Sequence, residues 1–303
     1  MRIKSLFFLL FFLARYLSQP TIAAESVVQQ ATHNASASRR VFSSGEVVTF
    51  SQQPTQVGDR VAQRVGMELD LRTVIKQAGQ VANDSSTAMR TRQQRQIEVM
   101  EVSGGQARRA RVSYPLAKQM SPGNPDPTTE IAQVVEGKTY FISRVGEQLQ
   151  VTDDTGAIPS KQEFEIVVGS MENFGKPNPL AEYLLGREIR VGDTLDVPLE
   201  IAAGMMGFDK MGSVEKFELQ LEDLRDVDET PCAIFSATIF TTGSAESPLH
   251  IETTGSVAIE IGTARTIEAT LEGPVTMTAI DNGVHYKTTG RLLMAVHSYY
   301  GSP

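Results

Sequence analysis

The chain of 303 residues has one cysteine, four histidines and no tryptophan. A lone Cys232 excludes an intramolecular disulfide, so the core must hold the fold whatever the redox compartment. It lies in Pro231-Cys232-Ala233-Ile234-Phe235, where a buried thiol is expected rather than a nucleophile. No His-x-His, His-x-x-x-His or Glu-x-x-His spacing occurs, so no metal-ligand motif is legible. Nor is there a Gly-x-Ser-x-Gly elbow for a serine nucleophile, or a Gly-x-Gly-x-x-Gly dinucleotide fingerprint. Gly137-Lys138-Thr139 is only the tail of a phosphate loop; Glu136 precedes it and Tyr140-Phe141-Ile142 continues as strand. No cofactor is therefore expected. Positive charge is also short, 28 Lys+Arg against 36 Asp+Glu for a net −8, which argues against nucleic acid or acidic membrane surfaces as partners.

Long apolar runs are nearly absent. The exception is Leu6 to Ala14, nine residues that fall short of the roughly 20 needed to span a bilayer. Met1-Arg2-Ile3-Lys4 precedes it and Thr21-Ile22-Ala23-Ala24 follows, the layout of a secretory signal peptide over residues 1–24. Cleavage removes Arg2, Lys4 and Arg15, leaving 25 of 28 bases against 36 acids and a charge of −11. No cysteine flanks the cleavage region, so the expected product is untethered, without a transmembrane anchor, and periplasmic or secreted. Residues 25–44, rich in Ser, Ala, Gln and Asn, are expected to be a flexible lead.

From about Gly45 the commonest pattern is alternation at period two, which marks half-buried strands. Phe217, Leu219 and Leu221 alternate with Glu218, Gln220 and Glu222; Val257, Ile259 and Ile261 alternate with Ala258 and Glu260. Ser103-Gly104-Gly105-Gln106 predicts a hairpin setting Ile97 opposite Val112, Val99 opposite Ala110 and Glu98 opposite Arg111. Asp281-Asn282-Gly283-Val284 predicts a second, through a type I′ turn. Val145-Gly146-Glu147 predicts a third, and Gly262-Thr263-Ala264 a fourth that brings Ile259 opposite Ile267.

Helical signals are confined to the middle: Lys161 to Phe174, a short helix from Asn178-Pro179 stopped by Gly186, and Leu199 to Met206. The expected class is α+β, mainly antiparallel β, with hairpin and meander sheets. Expected boundaries are a β-rich lobe over 45–160, a helical connector over 161–186 and a β-rich lobe over 187–303. The lobes look similar in their order of elements, each entered by Val-Gly-Asp, at Val57-Gly58-Asp59 and Val191-Gly192-Asp193.

Three groups of residues invite a functional reading. His250, His285 and His297 could serve a secreted hydrolase only by converging with one another or a carboxylate. Arg90, Arg92, Arg95, Arg108, Arg109 and Arg111 could bind an anion, but Glu98 and Glu101 opposite Arg111 and Arg108 account for them as charged outward faces. Asp153-Asp154-Thr155-Gly156 and Asp223 to Glu229 read as solvated turns rather than calcium loops. The glycine-punctuated segment Leu199 to Phe208 carries the site expectation, with Met205, Met206 and Phe208 as adaptable contacts for an apolar ligand.

At Gly137-Lys138-Thr139-Tyr140, Gly186-Arg187-Glu188-Ile189-Arg190-Val191-Gly192-Asp193 and Gly255-Ser256-Val257-Ala258-Ile259-Glu260, the chain resembles exported, uncharacterised bacterial envelope proteins. The resemblance implies a periplasmic or secreted setting and carries no active site. The function expected is a non-catalytic binding or scaffold module, partnered by an apolar small molecule or an envelope protein. The alternatives are the convergent hydrolase and a structural subunit of an envelope assembly, which would expose an apolar patch.

Overall fold

The computed structural model describes residues 45–122, 126, 128–206, 213–243 and 249–301. The expected leader and lead lie outside the described residues. Mainly antiparallel β-structure with short helices is the observed class.

The first half supplies β1 (Val47–Thr49), β2 (Arg60–Gln77), β3 (Gln80–Ser103), β4 (Gln106–Met120), β5 (Ile131–Ala132), β6 (Thr139–Val145) and β7 (Gln148–Asp153). Helices α1 (Lys161–Ser170) and α2 (Pro179–Leu184) follow, then β8 (Glu188–Arg190), β9 (Thr194–Asp196) and α3 (Leu199–Met206). The chain ends with β10 (Ser213–Val227), β11 (Thr230–Thr242), β12 (Leu249–Glu260), β13 (Thr266–Asp281) and β14 (Val284–Gly301).

One sheet runs β7-β6-β4-β3-β2-β14-β13-β12-β11-β10-β9, with β5 beside β4, while β1 and β8 form a separate pair. The first half meanders outward from β2, the second inward from β9, and the two meet where β14 pairs with β2 from Val284↔Gln77 to Gly301↔Arg60. Strands of the expected lobes thus share one continuous ladder. The two Val-Gly-Asp turns also make equivalent hydrogen bonds. Gly58 N–H donates to Val99 O and Val99 N–H to Asp59 O; Gly192 N–H donates to Leu221 O and Leu221 N–H to Asp193 O. In each turn the aspartate accepts an amide three residues back, from Gln56 and from Arg190.

Alternation decides which face is buried. One inner row crosses seven strands as Met67, Met294, Leu271, Gly255, Ala237, Leu219 and Leu195. In the first half Val99, Ala110, Ile142 and Val151 form a similar row. α2 and α3 pack on the second half through Leu180, Leu184 and Ala202, in one apolar cluster with Leu69, Leu219, Phe235 and Ile251. α1 packs on β4, β6 and β7 through Val167 and Met171, in another cluster with Val112, Tyr114 and Ile142.

Turn chemistry set most of the register. Gly104 (φ 59°) and Gly105 (φ 75°) close β3–β4, and Ile97↔Val112, Glu98↔Arg111 and Val99↔Ala110 stand as expected. Asn282 (φ 50°) and Gly283 (φ 77°) close β13–β14. Two expected pairings are corrected by bulges. A register shift between Val99 and Glu101 sets Glu101 against Arg109, not Arg108, and another at Ala258/Ile259 sets Ile259 against Thr266, not Ile267.

Helix ends follow their caps. Ser160 and Glu163 form a capping box at α1, and Asn178 caps α2 ahead of Pro179. α1 stops at Ser170 instead of Phe174. Buried Arg144 on β6 donates to the carbonyls of Glu172 (2.5 Å), Glu147 (3.0 Å) and Phe174, taking acceptors the helix end would leave open.

Three glycines of the inner face allow strands to approach closely. A Cβ on Gly255 would lie 1.8 Å from Thr270 O, on Gly273 1.7 Å from Glu252 O, and on Gly290 2.0 Å from Asp70 O. Because the obstructing atoms are backbone, the strands themselves would have to shift. Gly273→Ala is therefore expected to lower stability by about 1–3 kcal/mol or more, read as a fall in the chemical-denaturation midpoint. An unchanged midpoint would contradict the close approach.

Candidate functional site

The two apolar clusters do not merge. Between them, on β2 and β14, Val65 stands opposite Val296, and on its other side opposite Gln93 of β3. Both valines are half-buried, and neither belongs to an apolar cluster. One step along the ladder, Gln63 lies between Ser298 and Arg95. The centre of the inner face is thus a polar seam with a valine floor.

Its residues come from the odd positions of β3, where Met89, Thr91, Gln93, Arg95, Ile97 and Val99 face inward by alternation. Arg90 and Arg92 face outward and meet Glu68 (3.3 Å) and Glu130 (2.6 Å). At Arg95 the ladder is irregular, since Gln94 pairs with Leu116 and Gln96 with Ser113, which sets the two residues Tyr114 and Pro115 against Arg95 alone in a bulge. Pro115 has no ladder donor, which suits it to a bulge.

Arg95 Nε donates to Gln63 Oε1 at 2.7 Å, Nη2 donates to the same oxygen, and Nη1 donates to Ser170 O at the end of α1. Gln63 Nε2 donates to Ser298 Oγ at 3.0 Å, and the Tyr114 hydroxyl pairs with Ser170 Oγ at 2.7 Å. Among the described residues no carboxylate pairs with Arg95. Burial therefore pulls its pKa down, with the Tyr114 and Tyr300 rings opposing the shift. Burial also pushes the phenols of Tyr114 and Tyr300 up, so both are neutral donors.

Gln93 is more unusual. It has 0% exposure, and neither Nε2 nor Oε1 finds a partner among the described residues. An unsatisfied buried group costs about 1–3 kcal/mol, so the seam carries an uncompensated penalty at the meeting point of two well-packed clusters.

The expected ligand residues are not among those of the seam. Met205 and Met206 end α3, whose Ala202 is buried in the larger cluster, and Phe208 lies outside the described residues. Sequence reasoning missed Gln63, Gln93 and Ser298 entirely. It included Arg95 in the basic run, where the step from 92 to 95 breaks period two and places that arginine alone on the inner face.

The histidines are kept apart by register. His285 and His297 lie twelve residues apart on β14, about 40 Å along a strand. His250 meets Glu252 at 3.2 Å, while His297 meets Asp228 at 2.8 Å and stacks on Tyr299. Among the described residues no group of three His, Cys, Asp or Glu could hold a metal ion. Asp153 Oδ1 accepts from Thr155 N (2.9 Å), Thr155 Oγ1 (2.7 Å) and Ala157 N (2.9 Å), satisfying a turn. A cleft of about 320 Å³ beside β1 is lined by Val48, Leu224, Arg225, Pro231 and Cys232. Burial pushes the Cys232 thiol up to about 12, so it is protonated there.

No family model and no curated protein matches the chain. Among solved structures it is similar to lipovitellin, from a study of lipid–protein interactions, at 9% identity and a TM-score of 0.35. That match covers 82% of this chain, which spans only 26% of the lipovitellin chain. It is also similar to a DUF1329 family protein from Desulfovibrio piger (9% identity, 82% and 86% of the two chains, TM-score 0.16). A third is a LolA superfamily protein from Nitrosomonas europaea (8% identity, 74% and 83%, TM-score 0.13). No helix among the described residues is long and apolar enough to cross a membrane.

Two outcomes follow from these environments. Hydrogen bonds from Lys138 and Ser160 hold Glu163 at about 2, below its ordinary 4.5. A depressed carboxylate contributes stability that is present above its unfolded pKa and lost as pH falls through the folded value. The gap in melting temperature between wild type and Glu163→Gln is therefore expected to be full above pH 4.5 and to close toward pH 2. Cys232 is expected to resist an aromatic disulfide reagent in the native protein and to react once per chain after denaturation; rapid native labelling would contradict its burial.

Proposed function

We propose that this chain is an exported bacterial envelope protein, a non-catalytic β-rich module that binds an apolar molecule on the inner face of its sheet. The observation that carries this reading is the pair Val65 and Val296, half-buried in the middle of an otherwise well-packed face and claimed by neither cluster. A floor of β-branched side chains between two helical covers offers an apolar molecule area already partly desolvated. Met205, Met206 and Phe208 are proposed to contribute adaptable contacts from the α3 side. The leader-like residues 1–24 support export. Among the described residues the separated histidines supply no convergent catalytic group, and this favours binding over the hydrolase alternative.

The test is native mass spectrometry of the protein recovered from its own host, joined to titration with the uncharged dye N-phenylnaphthylamine. Copurifying apolar mass and saturable dye fluorescence are expected, with Val296→Lys weakening dye binding at least about tenfold by placing an ammonium on the floor. Recovery without such mass, together with no dye binding, would refute the proposal.

A further inference from the structure

We infer that the polar seam is the headgroup end of the binding site, and that its ligand is amphipathic, with an anionic oxygen headgroup seated between Gln93 and Arg95. This rests on the proposed binding of an apolar molecule and adds the chemistry of its other end.

Two independent features point there. Gln93 is wholly buried on the inner face with donor and acceptor both unpaired, although its neighbours across the ladder are the apolar Val65 and Ala117. No described residue uses that amide. Arg95, two residues along the same strand face and about 7 Å away, brings a guanidinium with no carboxylate partner among the described residues. Its contacts to Gln63 Oε1 and Ser170 O spend three of its five N–H groups, leaving one on each terminal nitrogen.

The seam thus offers a positive charge, two unspent guanidinium donors and an amide N–H. An anionic oxygen group supplies the acceptors and charge that this set lacks, and an acyl chain extending from it would run over Val65 and Val296. A cationic headgroup would face Arg95 without compensation. Carboxylate and phosphate share the required chemistry, so fatty acids and lysophosphatidates are both admissible sources.

The experiment compares oleate, methyl oleate, oleoyl lysophosphatidate and N-phenylnaphthylamine on wild type, Gln93→Leu and Gln93→Glu. Wild type is expected to bind at least one anionic probe about tenfold more tightly than methyl oleate, and the better anion identifies the source. Gln93→Leu is expected to lose most of that preference, keep dye binding, and melt about 2–8 °C higher because an unpaired buried amide is gone. Gln93→Glu supplies its own anion beside Arg95 and is expected to keep the dye while excluding both anionic probes. Dye binding without an anionic preference, or a preference that survives both substitutions, overturns the headgroup assignment and leaves the apolar site standing. Failure of wild type to bind dye or any acyl probe overturns both.

Discussion

The pairing of β14 with β2 is the constraint on which the rest of the molecule depends. The first strand of the large sheet and the last lie side by side along their full length, in register from Val284↔Gln77 to Gly301↔Arg60. Every other neighbour in the sheet is a hairpin or a short connection along the chain, which could form locally. Within the large sheet this ladder alone joins the halves, and it does so between segments more than two hundred residues apart. Contacts of such separation are costly in chain entropy and form late, so the centre of the sheet is the part of the fold that needs the whole chain.

That dependence explains where the seam lies. Each half covers its own outer strands with helices: α1 over β4, β6 and β7, and α2 with α3 over the second meander. The strands at the junction receive cover from both sides but belong fully to neither. Val65 and Val296 are only half-buried there, outside both apolar clusters, and the polar side chains of Gln63, Arg95 and Ser298 bond with one another beside them. Stability is concentrated in the flanks, and the junction contributes less than its area would allow, since it holds an unpaired amide and a guanidinium without a counter-charge.

Much of this architecture was legible because local chemistry and global fold agree. Two-residue turns with positive φ fixed the β3–β4 and β13–β14 registers, and caps placed α1 and α2. The misses have physical causes. Bulges at Met100 and near Ile259 shift pairing by one residue and leave no mark that turn chemistry can reveal. Residues 80–95 show no strand signal in the sequence because Asn83, Asp84, Ser85, Ser86 and the Gln-Arg run have poor strand propensity; long pairing with β2 overrides it. The seam escaped for the same reason, since a polar residue on the buried face of a polar-looking segment breaks no visible pattern.

Arg95 shows how much one position matters in such a segment. In a strand, a step of one residue exchanges water for the core. Arg90 and Arg92 meet carboxylates on the outer face, as do Arg109 and Arg111, so most of the basic run amounts to cross-strand ion pairing. Arg95 bears the same charge on the other face, where desolvation is expensive and only neutral acceptors meet it. Gln63 and Ser170 orient the guanidinium without neutralising it, because an amide and a carbonyl accept hydrogen bonds but bring no net charge. Outward, the run is settled surface chemistry; inward, it leaves a positive field beside an idle amide where the two halves of the sheet meet.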